Sequence, residues 1–187
     1  MMLRLVVLKI LPLFGTFIPV IKGSLNQLDR PLNFKCPNEY QHVSRVKSDH
    51  DNAAEDRTFD MNCTDVDKGV ENLSVTCAWT DWQNDFDSLL AFECANNGYI
   101  NGMKSFHDNN AEDRRWGFHC CELAGIHLFD CKLTDWTNDW DHHQDYSLPA
   151  GYVMRGVFSI HDNSYEDRRY KYEICKVAWG EIGPLLG

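Results

Sequence analysis

Three stretches of the chain alternate large apolar with polar residues directly after an Asp-Arg pair. Arg57, Phe59, Met61 and Cys63 form the first series, Arg114, Trp116, Phe118 and Cys120 the second, and Arg168, Tyr170, Tyr172 and Ile174 the third. Alternate residues of an extended chain point to one face, so each series predicts a strand with its aromatics turned toward a core. Upstream lie HVSRVKS (42–48), YINGMKSF (99–106) and YVMRGVFSI (152–160), also rich in strand-forming residues. Between each pair of runs stands an acidic segment, HDNAAED, HDNNAED or HDNSYED, which predicts a medium-length hairpin loop. No long amphipathic helix is evident after residue 23.

The repetition extends beyond the hairpins. CAWTDWQNDFD at 77–87 matches CKLTDWTNDWD at 131–141, an offset of 54 residues, whereas the third hairpin is followed by AWGEIGPLLG. The chain therefore reads as two full units and a truncated one, near 36–93, 94–147 and 148–179. The expected fold class is all-β: disulfide-stapled antiparallel hairpins with three internal pseudo-repeats, closed as a trefoil, a prism or a sandwich.

Length bounds this reading to one domain, because 187 residues supply one substantial core and not two. Residues 1–23 change the compartment. Arg4, a following apolar run and the small residue Gly23 read as a secretory signal, leaving a domain at 24–187. The apolar run is too short, and too interrupted by Pro12 and Pro19, for a membrane anchor. Removing it takes away Arg4, Lys9 and Lys22 and no acid, so the formal charge goes from −10 to −13. Such a surface disfavours nucleic acid and anionic lipid, which are bound by neutralising negative charge.

Eight cysteines, all after residue 23, read as four disulfides of a secreted protein. If the copies use one staple, Cys36 pairs with Cys63 and Cys94 with Cys121. Cys77 then reaches Cys120, and Cys131 reaches Cys175. Two sequons, at Asn62 and Asn72, fit secretion and mark these as glycosylation candidates.

Among the polar residues, Arg57, Arg114 and Arg168 are expected to close their hairpins, lying over the aromatic two positions on (Trp116 and Tyr170 in the later copies) or pairing with Glu55, Glu112 or Glu166. The tails offer the better binding chemistry. Trp79, Trp82, Asn84 and Asp85 in one copy, and Trp136, Asn138 and Asp139 in the next, combine flat apolar rings with hydrogen-bonding groups, as sugar recognition requires. Their Asp and Asn content would also suit calcium, although no EF-hand loop is present, so no metal or cofactor is assigned. His50, His107, His161, His142 and His143 fall in no zinc motif and are expected to hydrogen-bond the loops. No GxSxG elbow, phosphate loop or unallotted thiol supports an enzyme.

The segments DRTFDMNC, DRRWGFHCC and DRRYKYEIC, together with CPNEY, CANNGYINGMKS and the adjacent Cys120 and Cys121, resemble the dermatopontin family over about residues 32–177. The chain departs from the vertebrate pattern in lacking a tyrosine-rich N-terminal stretch and two cysteines that the family pairs together. The resemblance implies a secreted matrix or body-fluid protein, not an enzyme, that binds proteoglycans, cell-surface glycans or matrix proteins and promotes adhesion or aggregation. A structural matrix or biomineral-associated protein binding collagen, proteoglycan or calcium is the alternative. Repeated surfaces also allow self-association.

Overall fold

A computed structural model describes residues 24–67 and 73–180. The expected leader at 1–23, the sequon at Asn72 and residues 181–187 lie outside the described residues. Eleven strands and no helix are formed among the described residues. Three long hairpins dominate: β2 (Gln41–Asp51) with β3 (Asp56–Asp65), β6 (Tyr99–Asp108) with β7 (Asp113–Leu123), and β10 (Tyr152–Asp162) with β11 (Asp167–Trp179). Each turns through a four-residue loop whose last residue is a glutamate, and Glu55, Glu112 and Glu166 all adopt a left-handed conformation (φ 44–45°). The register of each hairpin shifts at one corresponding place, between Val43 and Arg45, Ile100 and Gly102, and Met154 and Gly156. A bulge adds one residue and turns the following side chains to the opposite face.

Short strands complete the sheets. β1 (Leu32–Lys35) lies along β6, β5 (Leu90–Glu93) along β10, and β9 (Gln144–Ser147) along β2. On the opposite sides β4 (Val75–Trp79) lies along β7 and β8 (Ile126–Leu133) along β11. The result is two four-stranded sheets and one three-stranded sheet, all antiparallel. Each hairpin is therefore paired to strands from another part of the repeat. Glycine permits the closest of these approaches, since a Cβ on Gly102 would stand 2.6 Å from the Phe34 carbonyl oxygen and one on Gly156 2.5 Å from that of Phe92.

The alternating series do meet in one core. Phe59, Trp116 and Tyr170, one from each hairpin and all buried, pack edge to face with centroids 5.2, 5.8 and 6.4 Å apart. Each such pair contributes about 0.5–1.5 kcal/mol beyond the area it buries. Met61, Phe118, Tyr172 and Ile174 continue the same face.

The disulfides are Cys36–Cys63, Cys94–Cys120, Cys77–Cys121 and Cys131–Cys175. The middle two exchange the expected partners, Cys94–Cys121 and Cys77–Cys120. The reason is strand alternation. Cys120 faces the main core, where Cys36, Cys63 and Cys94 also lie, while Cys121 turns to a second cluster with Cys77. The Cα of Cys121 is 4.1 Å from that of Cys77, directly opposite on β4. Counting from the arginine, Cys120 corresponds to Cys63 and Cys121 to Cys175, so one staple rule does serve all copies.

The expectation that only two copies carry a tail is also corrected. Asn84 donates to the Arg114 carbonyl and accepts from the Trp116 N–H, and Asn138 does the same at Arg168 and Tyr170. The corresponding clamp on Arg57 and Phe59 is Asn26, from the segment before β1. The N-terminal residues thus supply the third tail and close the arrangement.

Candidate functional site

At the hairpin ends the three Asp-Arg pairs interlock. Arg57 grips Asp167, Arg114 grips Asp56, and Arg168 grips Asp113, each through Nε and Nη2 at 2.6–2.7 Å. The pairing runs between copies and forms a closed ring of six buried charges. Each arginine also donates to a serine of its own hairpin, Ser48, Ser105 or Ser159. Each carboxylate further accepts a backbone N–H, from Asp141, Asp29 or Asp87. The expected pairing with Glu55, Glu112 or Glu166 does not occur, because the arginines point inward beneath those loops. Of the expected ring contacts, Arg114 does stand 5.9 Å from a ring centroid, but the ring is Phe59 of the neighbouring hairpin. Burial alone would raise the Asp167 carboxyl, yet His50, facing it at 3.4 Å, and the bidentate Arg57 guanidinium outweigh it and pull its pKa down to about 2. A depression of about 20 Å³ opens above the ring, lined by the glutamates and by His50 and His161. It has room for about one water molecule, which excludes an organic substrate there.

Of the histidines, His161 hydrogen-bonds its hairpin loop as expected, Nδ1 meeting Asn163 Oδ1 at 3.3 Å, whereas His50 and His107 make no hydrogen bond among the described residues and face their loop glutamates. The side chains of His50, His107 and His161 are fully enclosed and stand among carboxylates: Glu55 and Asp167, Glu112 and Asp56, Glu166 and Asp87, at 3.3–3.9 Å. Elsewhere His42 is buried near Val43, and burial lowers its pKa to about 4.

The sequence-derived binding residues divide in two. Asn84 and Asn138 are buried clamps and belong to the scaffold. Trp79 and Trp82 are 37% and 38% exposed, and Trp136 is half-buried. Lys104 Nζ sits 5.2 Å from the Trp79 ring and 5.0 Å from that of Trp82. Phe106 then packs edge-on between Trp82 and Phe86. In the next copy Arg169 and Lys171 lie 4.7 and 4.8 Å from the Trp136 ring, and Trp140 stacks on Tyr165. Asp85 and Asp139 reach out from these patches, well exposed, to Arg115 and Arg169 at 3.0 Å. The first hairpin carries Thr58 and Asp60 where the others carry Arg115 and Gly117, or Arg169 and Lys171, and Leu25 and Leu28 stand in its tail. Two aromatic and cationic patches therefore exist on one acidic body. Lys104 and Lys171 were missed from sequence, because a strand places them across from the tails rather than beside them in the chain.

Asn62 is exposed near the end of β3. The cysteines of the groups Cys77, His119, Cys121 and Cys131, Glu173, Cys175 are disulfide-bonded and carry no metal chemistry.

Comparison with known proteins agrees with this architecture. The family model described as Dermatopontin matches residues 26–179. The chain is 37% identical over 155 residues to "Hemagglutinin/amebocyte aggregation factor" of Limulus polyphemus, covering 82% of this chain and 87% of that one. It is 33% identical to "Dermatopontin" of Biomphalaria glabrata, covering 81% and 99%, and 34% identical to "Millepora cytotoxin-1" of Millepora dichotoma, covering 83% and 67%. No solved structure matches. The matched span takes in the Asn26 clamp at one end and the last strand at the other, and the chain belongs to the dermatopontin family.

Proposed function

We propose that this is a secreted, non-enzymatic adhesion protein that cross-links cells or matrix by binding glycans at two patches, one around Trp79, Trp82 and Lys104 and the other around Trp136, Arg169 and Lys171. The observation that carries this reading is the pairing of partly exposed rings with cations on both patches. A ring covers the C–H face of a sugar, and an ammonium or guanidinium beside it attracts a carboxylate or sulfate on the same residue. In a protein of formal charge −10, such local cations select anionic sugars held against an aromatic face over polyanions bound by charge alone. Two sites on one rigid body also supply the valency that aggregation requires. The name of the Limulus relative, an agglutinin and aggregation factor, supports the same reading.

Purified mature protein is expected to agglutinate red cells and to bind acidic members of a glycan array. Trp82→Ala combined with Trp136→Ala should abolish both while leaving the fold intact. Silence of the wild-type protein in both assays overturns the glycan reading, and calcium or collagen binding in its place would favour a structural matrix role.

A further inference from the structure

We propose that Asp29, Asp56 and His107 form a binding site for a transition-metal dication of the zinc type, and that Asp87, Asp113 and His161 form a second. The side chain of His107 is fully enclosed, and neither ring nitrogen has a hydrogen-bond partner. Its Nδ1 faces the Asp56 carboxylate at 3.4 Å and that of Asp29 at 3.7 Å. A charge-assisted hydrogen bond would draw these atoms to about 2.7–2.9 Å. A dication with bonds of about 2.0–2.2 Å instead sits between ligand atoms separated by about 3.0–3.6 Å. The one ligand atom from each of the three side chains lies within 4.8 Å of the others.

The surroundings fit a metal ligand as well. A histidine that binds metal through one nitrogen usually donates the other N–H to a carboxylate, which fixes the ring. Here Nε2 faces Glu112 Oε2 at 3.3 Å, and that oxygen is itself buried and unpartnered. Asp56 is held in place by Arg114 and by the Asp29 backbone N–H. The Asp29 side chain is 40% exposed, leaving an open side for entry and for water as a further ligand. Imidazole in the donor set favours zinc or a neighbouring transition metal over calcium and magnesium, which take oxygen ligands.

The second group repeats the plan in part: His161 Nδ1 is 3.4 Å from Asp87 and hydrogen-bonds Asn163 Oδ1 at 3.3 Å, a partner that a metal would displace, while the unpartnered Nε2 faces Glu166 at 3.9 Å. In the first copy along the chain the carboxylates divide between the ring nitrogens of His50, Asp167 on Nδ1 and Asp141 on Nε2, so no common point is offered. An ion at the first site would tie the N-terminal segment to the first and second hairpins, acting as a clasp on the closure that Asn26 begins.

The test uses mature secreted protein stripped by a chelator and titrated with zinc chloride, read by calorimetry, elemental analysis and melting temperature. The wild type should bind two zinc ions per chain, one for each group, and gain about 5–10 °C in Tm at saturating zinc. Asp29→Asn keeps the backbone N–H and leaves the arginine ring intact, so it should fold normally and retain one ion. Asp87→Asn should do the same, and calcium chloride should not substitute. Absence of zinc binding by folded wild type, or unchanged stoichiometry in Asp29→Asn, overturns the proposal.

Discussion

Arg114 holds Asp56 across the boundary between two copies of the repeat, with Nε and Nη2 each 2.6 Å from a carboxylate oxygen. The same grip joins Arg57 to Asp167 and Arg168 to Asp113, so no hairpin keeps its own charges satisfied. Removing one partner leaves the other buried and uncompensated, at a cost of about 3–5 kcal/mol. Arg114→Met is therefore expected to lower the urea midpoint sharply. Joint replacement of Arg114 and Asp56 by apolar residues should recover part of that loss, a non-additivity that a double-mutant cycle reads directly.

Asn84 predicts the opposite behaviour from the tryptophans beside it. Its side chain joins the Arg114 carbonyl to the Trp116 N–H, both inside the sheet. Asn84→Ala strands those groups and should destabilise by about 1–3 kcal/mol. Glycan affinity per folded molecule should stay unchanged. Loss of binding at full stability would return Asn84 to the ligand surface.

Trp82 and Trp136 are expected to act through valency. Trp82→Ala alone should preserve monovalent glycan binding at the other patch yet reduce agglutination titre by about tenfold or more, because cross-linking needs both sites. Surface plasmon resonance at low and high glycan density separates the two effects.

Peptide mapping without reductant should recover Cys94 with Cys120 and Cys77 with Cys121. Replacing the Cys77–Cys121 pair by serines is expected to cost about 2–4 kcal/mol. A fragment joining Cys94 to Cys121 would show that the two clusters are built differently.

Acid should destabilise the protein in two steps. Burial holds the His42 pKa at about 4, below its usual 6.5, so the unfolded chain takes up the proton first and stability falls as pH drops from about 6.5 to 4. Asp167, drawn down to about 2 against burial by His50 and Arg57, contributes stability above its unfolded pKa near 3.9 that is lost as pH falls toward 2. Melting temperature against pH should show both windows, and His42→Gln should flatten the upper one.

Much of the fold was legible because it rests on local rules. The spacing Arg57, Phe59, Met61 sets a strand face, and the four residues between Asp51 and Asp56 set a hairpin, without reference to the rest of the chain. The candidate surface was legible in part, since Trp82 stood out in the tail but its neighbour Lys104 comes from another strand. The Cys120 and Cys121 assignment turned on a one-residue register, and adjacent residues of a strand face opposite sides.

The sequence by itself determined the three long hairpins, the repeat and the engagement of all eight cysteines in staples, because period, turn chemistry and cysteine content act within short stretches. Tertiary structure alone decided that Arg114 belongs to Asp56 rather than Glu112, that Asn26 completes the third tail, and that His107 lies between Asp29 and Asp56. Those pairings join residues dozens of positions apart. Their partners are chosen by which hairpin ends meet around the common core, and no local spacing encodes that choice.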